Sequence, residues 1–125
     1  MAATLLVVDD EPHMRLLVTR ILSNAGYQVF QAAHGAEALE VLLQHPEIRL
    51  VVTDIAMPVM DGLELLQKLA GRGTPPVVVI SARSSQRDEE TALELGAKAF
   101  LAKPFRGEEL LRLVAAELNG GAALG

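Results

Sequence analysis

Five short runs rich in β-branched and other apolar residues set the frame for this chain: residues 5–8, 27–31, 48–54, 77–80 and 99–102. Runs such as Leu5-Leu6-Val7-Val8 and Val77-Val78-Val79-Ile80 show no polar alternation, so they read as strands covered on both faces. A helix-periodic stretch follows each run. Pro12 sits in the first turn of the first helix, where its missing N–H costs nothing. Met14, Leu17, Val18, Ile21 and Ala25 then recur at helical spacing until Asn24-Ala25-Gly26 stops the helix.

The second helix covers 35–44 on Ala38, Leu39 and Leu42 and ends before Pro46. The third covers 61–70, with Asp61 as N-cap and Glu64 completing a capping box. Ser85 and Asp88 cap a fourth helix that reaches Leu95 and is stopped by Gly96. The fifth covers 106–118; Arg106 stands where a short polar cap is favoured, so this end is expected to fray. Alternation from end to end predicts an α/β fold, a doubly wound (βα)5 domain with a five-stranded parallel sheet. Right-handed crossovers favour the flavodoxin-like order 2-1-3-4-5. Residues 1–119 form the domain, and the Gly-rich segment 120–125 reads as a flexible tail or linker stub.

In that order the first and third strands are neighbours, so Asp9, Asp10 and Asp54 meet at the carboxyl edge, where open α/β sheets bind ligands. Three acids there repel one another unless a cation joins them, and hard oxygen donors suit Mg²⁺ or Mn²⁺. The fourth strand ends at Ser81 and the fifth at Lys103-Pro104. A carboxylate nucleophile, a divalent ion, an ammonium and a hydroxyl make a phosphoryl-transfer site, chemistry that needs mainly positioning and charge neutralisation. Each signal alone is weak, since an Asp at a strand end is commonly a cap and a Lys-Pro a turn. Their joint arrival at four strand ends carries the reading.

Composition removes several function classes. A net charge of −5 argues against binding nucleic acid through phosphate contacts. Three Phe, one Tyr and no Trp leave no stacking platform for single strands. The absence of cysteine excludes thiol catalysis and zinc–thiolate sites and suits a cytoplasmic location. No apolar run approaches the roughly 18 residues of a membrane span, and no signal peptide is readable.

From Leu5 to Leu118 the chain resembles a receiver domain of two-component response regulators. The residues that carry the resemblance are Asp9-Asp10, Asp54 with Met57-Pro58 and Asp61-Gly62, Ser81-Ala82, and Lys103-Pro104-Phe105. A chemotaxis member of that family is a known example of the 2-1-3-4-5 order. The resemblance implies that Asp54 accepts a phosphoryl group from a sensor histidine kinase or phosphotransfer protein. It implies that Asp10, Asp54 and the main-chain carbonyl of Ala56 ligate Mg²⁺, with Asp9 helping through water. Ser81 and Lys103 would hold phosphoryl oxygens, Phe100 would change rotamer with Ser81, and Lys103–Pro104 would be a cis peptide. Output would pass through the face of the fourth helix, fifth strand and fifth helix, by a phosphorylation-dependent dimer, an effector protein or an output domain outside this chain. Ser81 is often Thr in the family, and Ala56 often polar.

Other classes fit less well. A phosphohydrolase with an Asp nucleophile needs a second acid two residues on, where this chain has Ala56. A nucleotide domain needs a Gly-rich loop after the first strand, where Asp9-Asp10-Glu11-Pro12 would repel phosphate. An unphosphorylated interaction module would have lost the acids or the lysine. The chain thus reads as a signalling domain rather than an enzyme. His13, His34 and His45 read as loop or surface residues, Met57 and Met60 as loop packing, and Arg83 as part of a solvated loop.

Overall fold

The computed structural model describes residues 3–55, 57, 59–69, 75–82 and 86–119. Its elements alternate from end to end: β1 (Thr4–Val8), α1 (Pro12–Asn24), β2 (Gln28–Ala32), α2 (Gly35–Gln44), β3 (Ile48–Thr53), α3 (Gly62–Leu69), β4 (Val77–Ser81), α4 (Gln86–Glu94), β5 (Ala99–Ala102) and α5 (Gly107–Asn119). All strand pairs are parallel, in the order β2-β1-β3-β4-β5. The doubly wound flavodoxin-like sheet expected from the alternation is the one observed. β1 lies inside the sheet between β2 and β3, with Leu5, Leu6, Val7 and Val8 all buried. Each such side chain contributes about 1.5–3 kcal/mol on burial, so the acidic residues that follow start from a firm anchor.

Strand alternation divides the core into two layers. Leu5, Val7, Leu50, Val52, Val78 and Ile80 face α1 and α5, meeting Val18, Leu22, Leu110 and Val114. Leu6, Val8, Val51, Val77 and Val79 face the other side, with Ala38, Leu65, Leu66, Leu69 and Ala92 from α2, α3 and α4. The outer strands are less covered, and Ala102 of β5 is exposed. Among the described residues no helix is long and apolar enough to cross a membrane.

Two local expectations need correction. The buried stripe of α1 is Val18–Leu22, flanked by Met14 and Ile21. Leu17 is 48 % exposed because it lies one helical step outside that i, i+4 stripe, and Ala25 lies beyond the helix on the surface. The start of α5 is held despite Arg106: Glu109 Oε1 accepts the Arg106 N–H at 2.9 Å, the returning half of a capping box. His34 is the N-cap of α2, its Nδ1 accepting the Glu37 N–H at 3.2 Å. The Asp61–Glu64 box is complete, at 2.9 Å and 3.3 Å. Ser85, Arg83 and the segment 120–125 lie outside the described residues.

Candidate phosphoacceptor site

The site is assembled where β1, β3 and β5 end. Asp9 follows β1 directly and is 4 % exposed. Its N–H donates to Ala32 O at the end of β2 at 3.0 Å, and its Oδ1 accepts the Glu11 N–H at 2.9 Å. Glu11 caps α1, accepting the His13 and Met14 N–H groups at 3.2 Å and 2.7 Å. The bond from Met14, ahead of that from His13, holds the Glu11 carboxyl below the usual glutamate range. Arg15 reaches back over the loop, as helical side chains tilt toward the N-terminus: Nη1 donates to Asp9 O at 2.8 Å and Nε to Gln31 Oε1 at 3.1 Å. Asp10 is exposed, and its carboxylate makes no hydrogen bond or ion pair among the described residues.

Asp54 stands one residue past β3, its N–H donating to Val8 O at 3.0 Å, which ties it to the end of β1. Its Oδ1 accepts the Ile55 N–H at 2.6 Å, and its Oδ2 accepts from Lys103 Nζ at 2.7 Å. The Thr53 hydroxyl donates to Asp54 O at 2.9 Å. Gly62 packs against that same carbonyl so closely that a Cβ there would fall on the oxygen, and its N–H donates to Ile55 O at 2.8 Å. The loop is also clamped from α2, where the Gly35 N–H donates to Met60 O at 2.9 Å. Met57 and Met60 pack on the core beside it.

Lys103 arrives from β5, its N–H donating to Ser81 O at 3.0 Å, so the two strand ends are tied together. The Lys103–Pro104 peptide is cis. Besides Asp54, Lys103 Nζ lies 3.5 Å from Asp9 Oδ2. Burial pulls the ammonium pKa down, but the hydrogen bond and charge of Asp54, with those of Asp9, outweigh it and leave it above the usual lysine value. Burial pushes the Asp9 carboxyl up; the Glu11 N–H and the Lys103 charge oppose this, the Asp54 charge adds to it, and it ends above the usual aspartate range. Ser81 is 1 % exposed and Phe100 is half-buried against the α2–α4 side of the core. Ser81 pairs with Ala102 and Val79 with Phe100, so Phe100 lies on the sheet face of Ser81, two positions back on the next strand.

The expected cluster of three carboxylates takes a different form. Asp9 and Asp54 converge on the Lys103 ammonium while Asp10 faces solvent, and among the described residues no three His, Asp or Glu side chains group as a metal cage. The ammonium offsets the repulsion between the Asp9 and Asp54 carboxylates. Ala56 lies outside the described residues. Arg15, Thr53 and Gly62 act on the site's backbone and were not singled out as site residues; a lone cation one turn into α1 after three acids was the available signal for Arg15.

The family model for the response regulator receiver domain matches residues 5–115. The chain is 41 % identical to the transcriptional regulatory protein KdpE of Mycobacterium tuberculosis over 119 residues, 94 % of this chain and 52 % of that protein. It is 35 % identical to the response regulator GtcR of Aneurinibacillus migulanus over 119 residues, 95 % of this chain and 49 % of that protein. It thus spans about half the length of these curated relatives. Among solved structures, a CheY-like response regulator receiver domain protein from Methanospirillum hungatei superposes with a TM-score of 0.87 at 28 % identity, covering 100 % of both chains. A chain from the CheX–CheY–BeF3–Mg complex of Borrelia burgdorferi superposes at 0.85 with 32 % identity, covering 90 % of this chain and 86 % of that one. With its matching fold and its Asp–Lys pair at the sheet edge, this chain belongs to the receiver domain family of two-component response regulators.

Proposed function

We propose that Asp54 accepts a phosphoryl group from the phosphohistidine of a sensor histidine kinase or phosphotransfer protein, and that the modified domain acts on an output domain or effector. The observation that carries this reading is the Lys103 ammonium seated between the carboxylates of Asp54, at 2.7 Å, and Asp9, at 3.5 Å. In the transfer an Asp54 oxygen bonds to phosphorus as the phosphorus–nitrogen bond breaks, and the donor imidazole keeps the electron pair. The Ile55 N–H and Lys103 fix the two Asp54 oxygens before reaction. As charge moves onto the phosphoryl oxygens, Lys103 and the Ser81 hydroxyl are the groups at hand to receive it.

The residues suit a divalent cation. Asp9 and Asp54 present hard oxygens, Asp10 is an uncommitted carboxylate on the same loop, and the ammonium between Asp9 and Asp54 marks a place where positive charge is stable. Asp10 and Asp54 would hold Mg²⁺ (or Mn²⁺), with the Ala56 carbonyl as a further ligand and Asp9 acting through water. Such an ion, when bound, neutralises phosphoryl oxygens. Support also comes from the Borrelia burgdorferi relative, whose complex contains BeF3 and Mg. Output through α4, β5 and α5, by dimerisation or by contact with an effector, belongs to the same reading. So does a chemistry limited to the domain's own phosphorylation and dephosphorylation.

The test is incubation with a small acyl or amido phosphate plus Mg²⁺, followed by mass spectrometry. One phosphoryl group on Asp54, lost on hydroxylamine treatment, is the expected result. A group on Ser81 or His13, or equal labelling of Asp54→Asn, overturns the proposal.

A further inference from the structure

Asp10, the acid expected to meet a cation directly, has no partner of its own among the described residues, so its direction depends on the backbone beneath it. That backbone is held from several sides. The Asp9 N–H is bonded to β2 through Ala32 O, and the Asp9 carboxylate is bonded to the Glu11 N–H. The remaining group, the Asp9 carbonyl, accepts from Arg15 Nη1 at 2.8 Å. This carbonyl lies in the rigid peptide plane that joins Asp9 to Asp10. Gripping its oxygen therefore sets the plane from which the Asp10 side chain departs. The planar guanidinium is itself oriented by its second bond, Nε to Gln31 Oε1 at 3.1 Å on β2.

We propose that Arg15 is a positioning residue for the cation and phosphoryl site, acting through the Asp9–Asp10 peptide and steered by Gln31. This role rests on the phosphoryl-transfer reading above. Electrostatics alone predicts the opposite outcome from positioning, which makes the idea testable by sign. Arg15 carries positive charge beside Asp9, Asp10 and Glu11, so removing it should tighten divalent-cation binding if charge were all that mattered. Removing an outer partner that orients a ligand instead weakens binding, commonly by about 10–100-fold.

The experiment titrates Mg²⁺ into the parent, Arg15→Ala, Arg15→Lys and Gln31→Ala, following amide shifts around Asp10 and Asp54. In parallel, hydrogen exchange of the Glu11 amide is measured without metal. The expected result is weaker Mg²⁺ binding by about tenfold or more in Arg15→Ala. Arg15→Lys should restore little, because a point charge cannot span both acceptors. Gln31→Ala keeps the charge and lies on the surface, so it tests the idea without threatening the fold; it should weaken binding in the same direction, and add nothing in the Arg15→Ala background. Glu11 exchange should quicken in all three variants. Parent binding with equal or tighter binding in Arg15→Ala, or unchanged Glu11 exchange, overturns the positioning role alone. A parent that does not bind Mg²⁺ overturns the phosphoryl-transfer reading and this role with it.

Discussion

Gly62 leaves no room for a side chain above Asp54: a Cβ there would fall on the Asp54 main-chain carbonyl oxygen. The first residue of α3 is thereby seated on the main-chain carbonyl of Asp54, with the Gly62 N–H bonded to Ile55 O at 2.8 Å. Gly62→Ala must push the two apart. It is expected to lower stability by about 1–3 kcal/mol, the usual range for overpacking. It should also slow phosphorylation of Asp54 at saturating small-molecule donor, because the carboxylate moves with its peptide. Denaturant midpoints and phosphoryl incorporation check both; unchanged values in both would mean that α3 yields without disturbing Asp54.

The raised pKa of Asp9 has a definite sign for stability. Between the ordinary aspartate value of 3.8 and its folded-state value, the folded chain holds this proton more tightly than the unfolded chain does. Stability therefore falls as pH rises through that window, and the cost is fully present above the folded-state value. Asp9→Asn keeps an oxygen for the Glu11 N–H and drops the charge. In chelator at pH 7 it should melt above the parent, with the difference shrinking as pH falls toward and below 3.8. A variant that melts lower at pH 7 would show that the Lys103 contact outweighs burial.

Lys103 gives the complementary case. Its pKa is raised above 10.5, so its contribution is fully present below 10.5 and is lost as pH rises through the folded-state value. Lys103→Ala removes the ammonium from two carboxylates that are 6 % and 12 % exposed. A loss of about 3 kcal/mol in chelator is expected, the lower range for removing one member of a buried pair. Mg²⁺ should then raise the melting temperature of Lys103→Ala more than that of the parent, since the carboxylates gain a replacement cation. Equal metal effects on both proteins would count against a shared cation position.

Thr19 carries a different kind of cost. Its hydroxyl oxygen is buried in α1 with no hydrogen-bond partner among the described residues. An unmet buried hydroxyl costs about 1–3 kcal/mol. Thr19→Val keeps the shape and the β-branch while removing the polar atom, so it should raise stability by about 1 kcal/mol without altering phosphorylation. A lower denaturant midpoint would reveal a partner that the hydroxyl finds in solution.

The strands and their order were legible because β1 and β4 are buried on both faces and write that burial as unbroken apolar runs. Asp61–Glu64 was legible because a capping box is local chemistry. What could not be read depends on contacts between distant segments. Leu17 and Val18 are equally apolar, and only packing against β1 and α5 decides which one turns inward. Arg15 gains its role from Asp9 and Gln31, which sequence spacing does not bring together. Val59 has a φ of 66°, a left-handed conformation that a β-branched residue disfavours; tertiary closure of the loop between Asp54 and Gly62 overrides local preference there.

Phosphorylation of Asp54 is expected to be transmitted across the sheet to α5. A phosphoryl group adds negative charge and acceptor oxygens beside Lys103, whose N–H is bonded to Ser81 O. If the Ser81 hydroxyl moves to donate to it, space opens on the sheet face that Ser81 shares with Phe100, and the half-buried ring can turn inward. The outer face of α4, β5 and α5 then changes shape, and a partner that prefers the new shape shifts the equilibrium. Linkage requires partner and phosphate to strengthen each other by the same factor, commonly about 5–150-fold. With beryllofluoride and Mg²⁺ as a stable mimic, NMR shifts should extend from Asp54 through Ser81 and Phe100 to the start of α5 near Gly107. Ser81→Ala should still bind the mimic but lose most of the distant shifts. Shifts confined to the loops around Asp10, Asp54 and Lys103 would mean that the chain binds phosphate without transmitting it.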